Sequence, residues 1–222
     1  MQKSILQAVI SDQKVLKWQP SDIKRQHISI VEDDSVVVIS GIRRCGKSTL
    51  LQAIRAKNKE QDYYLNFDDE RLIQFKVEDF QQLLELFGER YGKQKTFYFD
   101  EIQNISGWER FVRRLHDYGN KVYITGSNAS MLSKELGTHL TGRYQQVELY
   151  PFSFLEYLKL NKIEPNALDH FSTDDKVILK TAFNDYFKLG GFPAFLKSKH
   201  SEYLKSLYES VLYRDVMVRN GI

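Results

Sequence analysis

Cysteine is almost missing from this chain: Cys45 is the single one among 222 residues. One thiol excludes an internal disulfide and any structural zinc site built on paired cysteines. The five histidines, at 27, 116, 139, 170 and 200, are too scattered to make up for it. No run of 18 apolar residues occurs, so no membrane span is expected. The stretch from Met1 to Ile10 is too short and mixed for a signal peptide, which leaves the cytosol as the expected compartment. No block of five like charges occurs and the net charge is only +3, so nucleic acid is permitted as a partner but not indicated. Internal repeats and low-complexity tracts are also lacking.

What is present describes a folded globular protein, with 42% hydrophobic and 13% aromatic residues. The length suits one α/β domain plus a small second unit. Three segments are expected: an N-terminal helical and linker stretch over 1–34, a nucleotide-binding core over 35–151, and a helical subdomain over 152–222.

The core rests on one motif. Gly41-Ile42-Arg43-Arg44-Cys45-Gly46-Lys47-Ser48 fits G-x-x-x-x-G-K-[ST], a phosphate-binding loop. Before it, Ser35 to Ser40 reads as a buried parallel strand; after it, Thr49 to Arg55 has helical spacing. Backbone N–H groups at a helix start, with the helix dipole behind them, attract an anion. Gly41 and Gly46 allow the tight backbone path. Lys47 is expected on the β- and γ-phosphates, Ser48 on Mg²⁺, and Arg44, Cys45 and Thr49 around the phosphates. Arg43 and Arg44 either add charge at the phosphates or face solvent or a partner. The cationic field at Cys45 favours its thiolate form.

Further strands are expected over Asp62–Phe67, Lys95–Asp100, Lys121–Thr125 and Gln146–Tyr150, with helices over Val77–Tyr91 and Trp108–Tyr118. On the latter, Trp108, Phe111 and Leu115 form a core face. This alternation predicts a parallel sheet. After Pro151, Phe152–Ile163, Asp174–Leu189 and Ser201–Asn220 read as helices, broken by Gly190-Gly191-Phe192-Pro193.

Thr96-Phe97-Tyr98-Phe99-Asp100-Glu101 has the form of a Walker B strand. Asp100 is expected to hold Mg²⁺ in line with Ser48, and Glu101 to act as general base on the attacking water. Two adjacent acids at that point favour hydrolysis over binding alone. Ile124-Thr125-Gly126-Ser127-Asn128 ends the fourth strand, where Asn128, ahead of Ser127, can orient water at the γ-phosphate. Leu140-Thr141-Gly142-Arg143 offers Arg143 as an arginine finger. The cluster Asp68-Asp69-Glu70 reads as a solvated loop. No guanine reader appears, because Asn58-Lys59-Glu60-Gln61 lacks the required Asp.

Taken in order, these motifs, with Gly107-Trp108-Glu109-Arg110, resemble prokaryotic AAA+-superfamily ATPases related to archaeal ATPases and the signalling STAND group. The resemblance covers about residues 20–222. It implies a P-loop NTPase fold of the ASCE type: a five-stranded parallel sheet of order 5-1-4-3-2 with flanking helices and a C-terminal helical lid. It also implies Asn128 at the sensor position and Arg143, in cis or in trans, at the finger position. Gly191-Phe192-Pro193 resembles the G-x-P motif of STAND lids, which puts Pro193 beside the nucleotide. Members usually continue into a further C-terminal region, often winged-helix or nuclease-like. The expected activity is Mg²⁺-dependent ATP binding and hydrolysis driving a change in a lid, in self-association or in a protein partner. The alternative is a slow nucleotide-gated switch or binding module that holds ATP or ADP and regulates a protein or DNA partner. A kinase finds no support, as no acceptor site is visible.

Overall fold

The computed structural model describes residues 1–16, 23–26, 28–127, 140–164 and 172–218. The chain divides into two compact units: Met1–Pro20, Ser29–Gly41 and Lys47–Glu148 form the first, and Ser21–Ile28, Ile42–Gly46 and Leu149–Ile222 the second.

The first unit is built on β1 (Val36–Ser40), β2 (Tyr64–Asn66), β3 (Thr96–Asp100), β4 (Lys121–Gly126) and β5 (Tyr144–Glu148). All neighbouring strands pair in parallel, in the order β2-β3-β4-β1-β5, which is 5-1-4-3-2 from the other edge. The interior strand β1, Val-Val-Val-Ile-Ser, is buried along its whole length. That fits a parallel strand covered on both faces, and its β-branched side chains suit the pleat. β2 and β5 form the edges and are more exposed.

Among the described residues, α-helices α1 (Lys3–Val15), α2 (Lys47–Arg55), α3 (Phe80–Tyr91) and α4 (Trp108–Asp117) belong to the same unit. On α4 the buried residues are Trp108, Phe111, Val112 and Leu115, one face at helical spacing. Phe111 stacks on Phe80 at 3.9 Å, and both meet Phe99 of β3. On α1, Leu6, Val9 and Ile10 join the same core. Its Gln13 acts as a substitute strand residue: Asn66 N–H donates to Oε1 at 2.8 Å, and Nε2 donates to Asn66 O at 3.0 Å. The short edge strand β2 is thereby capped. Asp69 accepts from Arg71 and Gln13, so the acidic loop is tied down by local pairing.

β5 starts two residues before the expected Gln146. Pairing decides this: Val36 N–H donates to Arg143 O at 2.8 Å, and the register runs from Val36–Tyr144 to Ser40–Glu148. Its exposed edge gives little hydrophobic alternation from which to place the start.

The second unit holds α5 (Phe154–Leu160), α6 (Thr173–Leu189), α7 (Pro193–Ser198) and α8 (Ser201–Ser210), with a π-helical stretch over Val211–Val218. Periodicity does not reveal helix α7, which is six residues long and opened by a proline at its first turn. Ile23, Phe152, Tyr157, Leu158, Ala182 and Leu196 form the core of the unit.

Ser153 and Glu156 make a reciprocal capping box at the start of α5. Glu156, only 2% exposed, also accepts Gln26 N–H at 2.7 Å and lies 3.3 Å from Arg25 Nε. Arg25 Nε makes this approach as an ion pair without hydrogen-bond alignment. The same guanidinium donates to Cys45 O at 3.5 Å and to Tyr150 O, and lies over the Phe152 ring. Burial lowers the Arg25 pKa, with Glu156 opposing that shift. Gly191 is required by space: a Cβ there would sit 2.2 Å from Phe152 O. The two backbones meet through Phe152 N–H donating to Gly191 O at 2.7 Å.

Candidate nucleotide site

The loop after β1 follows the path that the glycines permit. Gly46 has φ of 106°, which a side chain rarely adopts, although a Cβ there would find open space. Arg44 takes φ of 66° without being glycine. Cys45 N–H donates to Ile42 O at 3.3 Å, closing the turn, and the Cys45 side chain is fully buried. α2 begins at Lys47, so the loop runs straight into a helix N-terminus. Lys47 is buried, whereas Ser48 and Thr49 lie on the exposed side of that first turn.

The ends of β3 and β4 supply the acids. Phe99 pairs with Ile124, so Asp100 and Thr125 follow side by side. The Thr125 hydroxyl donates to Asp100 Oδ1, and Ser48 donates to the same oxygen at 3.1 Å. Tyr64 of β2 donates to Asp100 Oδ2 at 3.4 Å. Tyr64 pairs with Tyr98, so it reaches Asp100 along one face of the sheet. Burial raises the Asp100 pKa above the ordinary carboxylate range, and the Glu101 charge raises it further. The hydrogen bonds from Thr125 and Ser48 and the Lys47 charge work in the opposite direction. Burial and Asp100 also push up the Tyr64 pKa.

Glu101 turns out of the strand into left-handed backbone, φ 52° and ψ 41°. A non-glycine residue there stores strain, of the kind that gathers at functional sites. Its N–H donates to Thr125 Oγ1 at 2.9 Å. Its carboxylate lies 3.6 Å from Lys47 Nζ through Oε1 and accepts from Gln103 Nε2 at 2.6 Å through Oε2. Lys47 and Ser48, the latter 52 positions before Asp100, thus form one cluster with Asp100 and its neighbour Glu101, and Ser127 is connected to it through Gln103 at 3.4 Å.

The sequence pattern assigns no role to Thr125, Gln103 or Tyr64. Thr125 and Gln103 stand within the motifs, adjacent to residues with more obvious chemistry. Tyr64 had no signal beyond a strand pattern. Asn128 lies outside the described residues.

Arg143 is not brought to the loop within its own chain. It precedes β5, at the end of the sheet where β1 begins, while the loop leaves the other end of β1. Four strand steps separate those ends, about 13 Å at the usual rise. Its side chain is partly exposed and lies 3.4 Å from Asp117. Pro193 opens α7 in the helical unit, with Phe192 as N-cap. In that same unit Arg43 and Arg44 line a cavity of about 410 Å³ with Tyr203, Ser206, Leu207 and Ser210.

The donor set suits Mg²⁺ carried by a nucleotide. Ser48 and Asp100 present hard oxygens to one point, and Mg²⁺ ordinarily takes one or two such protein ligands plus phosphates and water. Among the described residues no cluster of three or more His, Cys, Asp or Glu could hold a metal alone.

A family profile described as "AAA domain" matches residues 33–158. The chain belongs to that family. Its membership and its sheet order make it a P-loop protein of the nucleotide-binding, ATPase type. An uncharacterized protein of Methanocaldococcus jannaschii is 35% identical over 99% of this chain and 50% of its own length. An uncharacterized protein of Haemophilus influenzae is 33% identical over 89% of this chain and 50% of its own. The chain spans about half the length of the curated relatives it matches. Among solved structures, C. elegans PCH-2 is 15% identical, covering 82% of this chain and 56% of that one, at a TM-score of 0.36. No helix among the described residues is long and apolar enough to cross a membrane.

Proposed function

We propose that this chain is a Mg²⁺-dependent ATPase whose turnover is coupled to movement of the helical unit and to self-association or a protein partner. The observation that carries the reading is the cluster in which Ser48 Oγ lies 3.1 Å from Asp100 Oδ1 beside the Lys47–Glu101 pair.

In this reading the loop amides and Lys47 bind the phosphates of ATP, with Gly41, Arg44, Cys45, Gly46 and Thr49 forming the cradle. Ser48 and Asp100 hold Mg²⁺, which neutralises phosphate charge when bound. Lys47 leaves Glu101 for the phosphates, freeing Oε1. Glu101 then accepts a proton as a water O–H bond breaks. The water oxygen bonds the γ-phosphorus, and the bond from that phosphorus to the ADP oxygen breaks. Asn128 holds the sensor role. Arg143 acts from a neighbouring copy, since its own loop is at the far end of β1. Pro193 contacts the nucleotide from the segment 152–222, which serves as lid.

The test is phosphate release from Mg-ATP across a range of protein concentrations. Lys47→Ala should abolish nucleotide binding. Glu101→Gln should bind nucleotide and lose about 10²-fold or more in turnover, the range for a general base. Full turnover in Glu101→Gln would sink the assignment. Tight nucleotide binding with no turnover at any concentration would favour a gated binding module.

A further inference from the structure

We infer that Gln103 is a positioning residue that fixes the plane of the Glu101 carboxylate and links it to the end of β4, an inference that rests on the hydrolytic reading above. The geometry is specific. Gln103 Nε2 donates to Glu101 Oε2 at 2.6 Å and to Ser127 Oγ at 3.4 Å. The two carboxylate oxygens therefore meet different donors: Oε1 faces the Lys47 ammonium and Oε2 faces a neutral amide.

Only the lysine is a group that phosphate would draw away. When it leaves, the amide remains and keeps Oε1 aimed outward.

Two costs gather around this contact. Glu101 is held in left-handed backbone, and Gln103 Oε1 is buried with no hydrogen-bond partner among the described residues. An orphaned buried carbonyl beside a strained residue is a combination that folding alone disfavours. The amide orientation follows from its surroundings, because the opposite one would set a carbonyl against the Glu101 carboxylate. Ser127 closes the link to β4, whose Thr125 already binds Glu101 N–H. Backbone and side chain of Glu101 are thus both referred to the same strand.

The test compares wild type, Gln103→Ala and Gln103→Glu by Mg-ATP turnover from pH 5.5 to 8.5, with fluorescent-nucleotide binding and thermal melting alongside. Gln103→Ala should lower kcat about tenfold or more while KM and nucleotide affinity stay within about twofold, since misplacing a catalytic group costs rate and not binding. Gln103→Glu is isosteric and carries the test even if the alanine variant unfolds. Its carboxyl can donate to Glu101 only when protonated, and the neighbouring charge raises its pKa. Its activity relative to wild type should therefore recover as pH falls. Unchanged kcat in Gln103→Ala, equal loss of binding and turnover, or a Gln103→Glu profile parallel to wild type would each overturn the inference. A wild-type chain that releases no phosphate overturns the hydrolytic reading and this inference together, whereas an active wild type with insensitive Gln103 variants overturns this inference alone.

Discussion

The backbone N–H of Glu101 donates to the side-chain oxygen of Thr125 at 2.9 Å. The same hydroxyl donates onward to Asp100, so one buried threonine on β4 sets the positions of both acids at the end of β3. Parallel pairing makes this possible by placing Asp100 and Thr125 in adjacent strands at the same level.

Thr125→Val keeps the shape and removes the hydroxyl. It leaves Glu101 N–H without its acceptor and should cost about 1–3 kcal/mol of stability, the usual penalty for a stranded buried group. Turnover should fall more than nucleotide affinity does. Urea unfolding together with steady-state ATP turnover checks both, and an unchanged kcat would detach Thr125 from the site.

Asp100→Asn should stabilise the nucleotide-free protein while removing Mg²⁺-dependent turnover. Asp100 has a raised pKa because burial penalises its charge. The folded state therefore holds the proton at pH values where the unfolded chain has released it. That contribution to stability is present at low pH and is lost as pH rises from the unfolded value, 3.8, through the raised folded one. Asparagine is uncharged across this range, so the gain in melting temperature over wild type should grow as pH rises. A variant that melts lower than wild type at pH 8 would contradict this.

Arg143→Ala should leave folding intact, since its exposed contact with Asp117 is of a kind worth about 0–1 kcal/mol. As a finger in trans its loss should slow turnover by about 10³-fold or more. Mixing Arg143→Ala with Lys47→Ala should restore activity above the sum of the two alone, because one supplies a sound loop and the other a sound finger. No gain on mixing, at concentrations where wild type is active, would remove Arg143 from a role in trans.

Gly191→Ala should destabilise the helical unit by about 1–3 kcal/mol, the common range for overpacking. The added methyl would meet Phe152 O at 2.2 Å, and that oxygen is backbone, held also by the Tyr186 hydroxyl at 2.8 Å. Limited proteolysis of the region after Leu149 and thermal melting read the effect. Wild-type resistance to protease would show that the backbones can separate without cost.

Much of the candidate site was legible because its chemistry is local. A loop that must turn tightly needs Gly41 and Gly46, and a phosphate needs Lys47 just inside the helix that follows. The strand residues around Asp100 had to be apolar to be buried in a parallel sheet. These requirements fall on consecutive residues, so the sequence by itself determined the loop, the acid pair and the parallel alternation of strand and helix, while the sheet order followed from the family resemblance. What only the tertiary structure decided is which residues hold that chemistry in place. Tyr64, Gln103, Thr125 and Arg25 act across 36, 2, 25 and 131 positions on Asp100, Glu101, Asp100 and Glu156. Polar side chains of these types occur at many surface positions, and nothing in their local pattern marks them. Strand register and burial chose them, since hydrogen bonds and excluded charge are strong only where water is absent. Register likewise put Arg143 at the far end of β1 from the loop, a placement that spacing along the chain had left open.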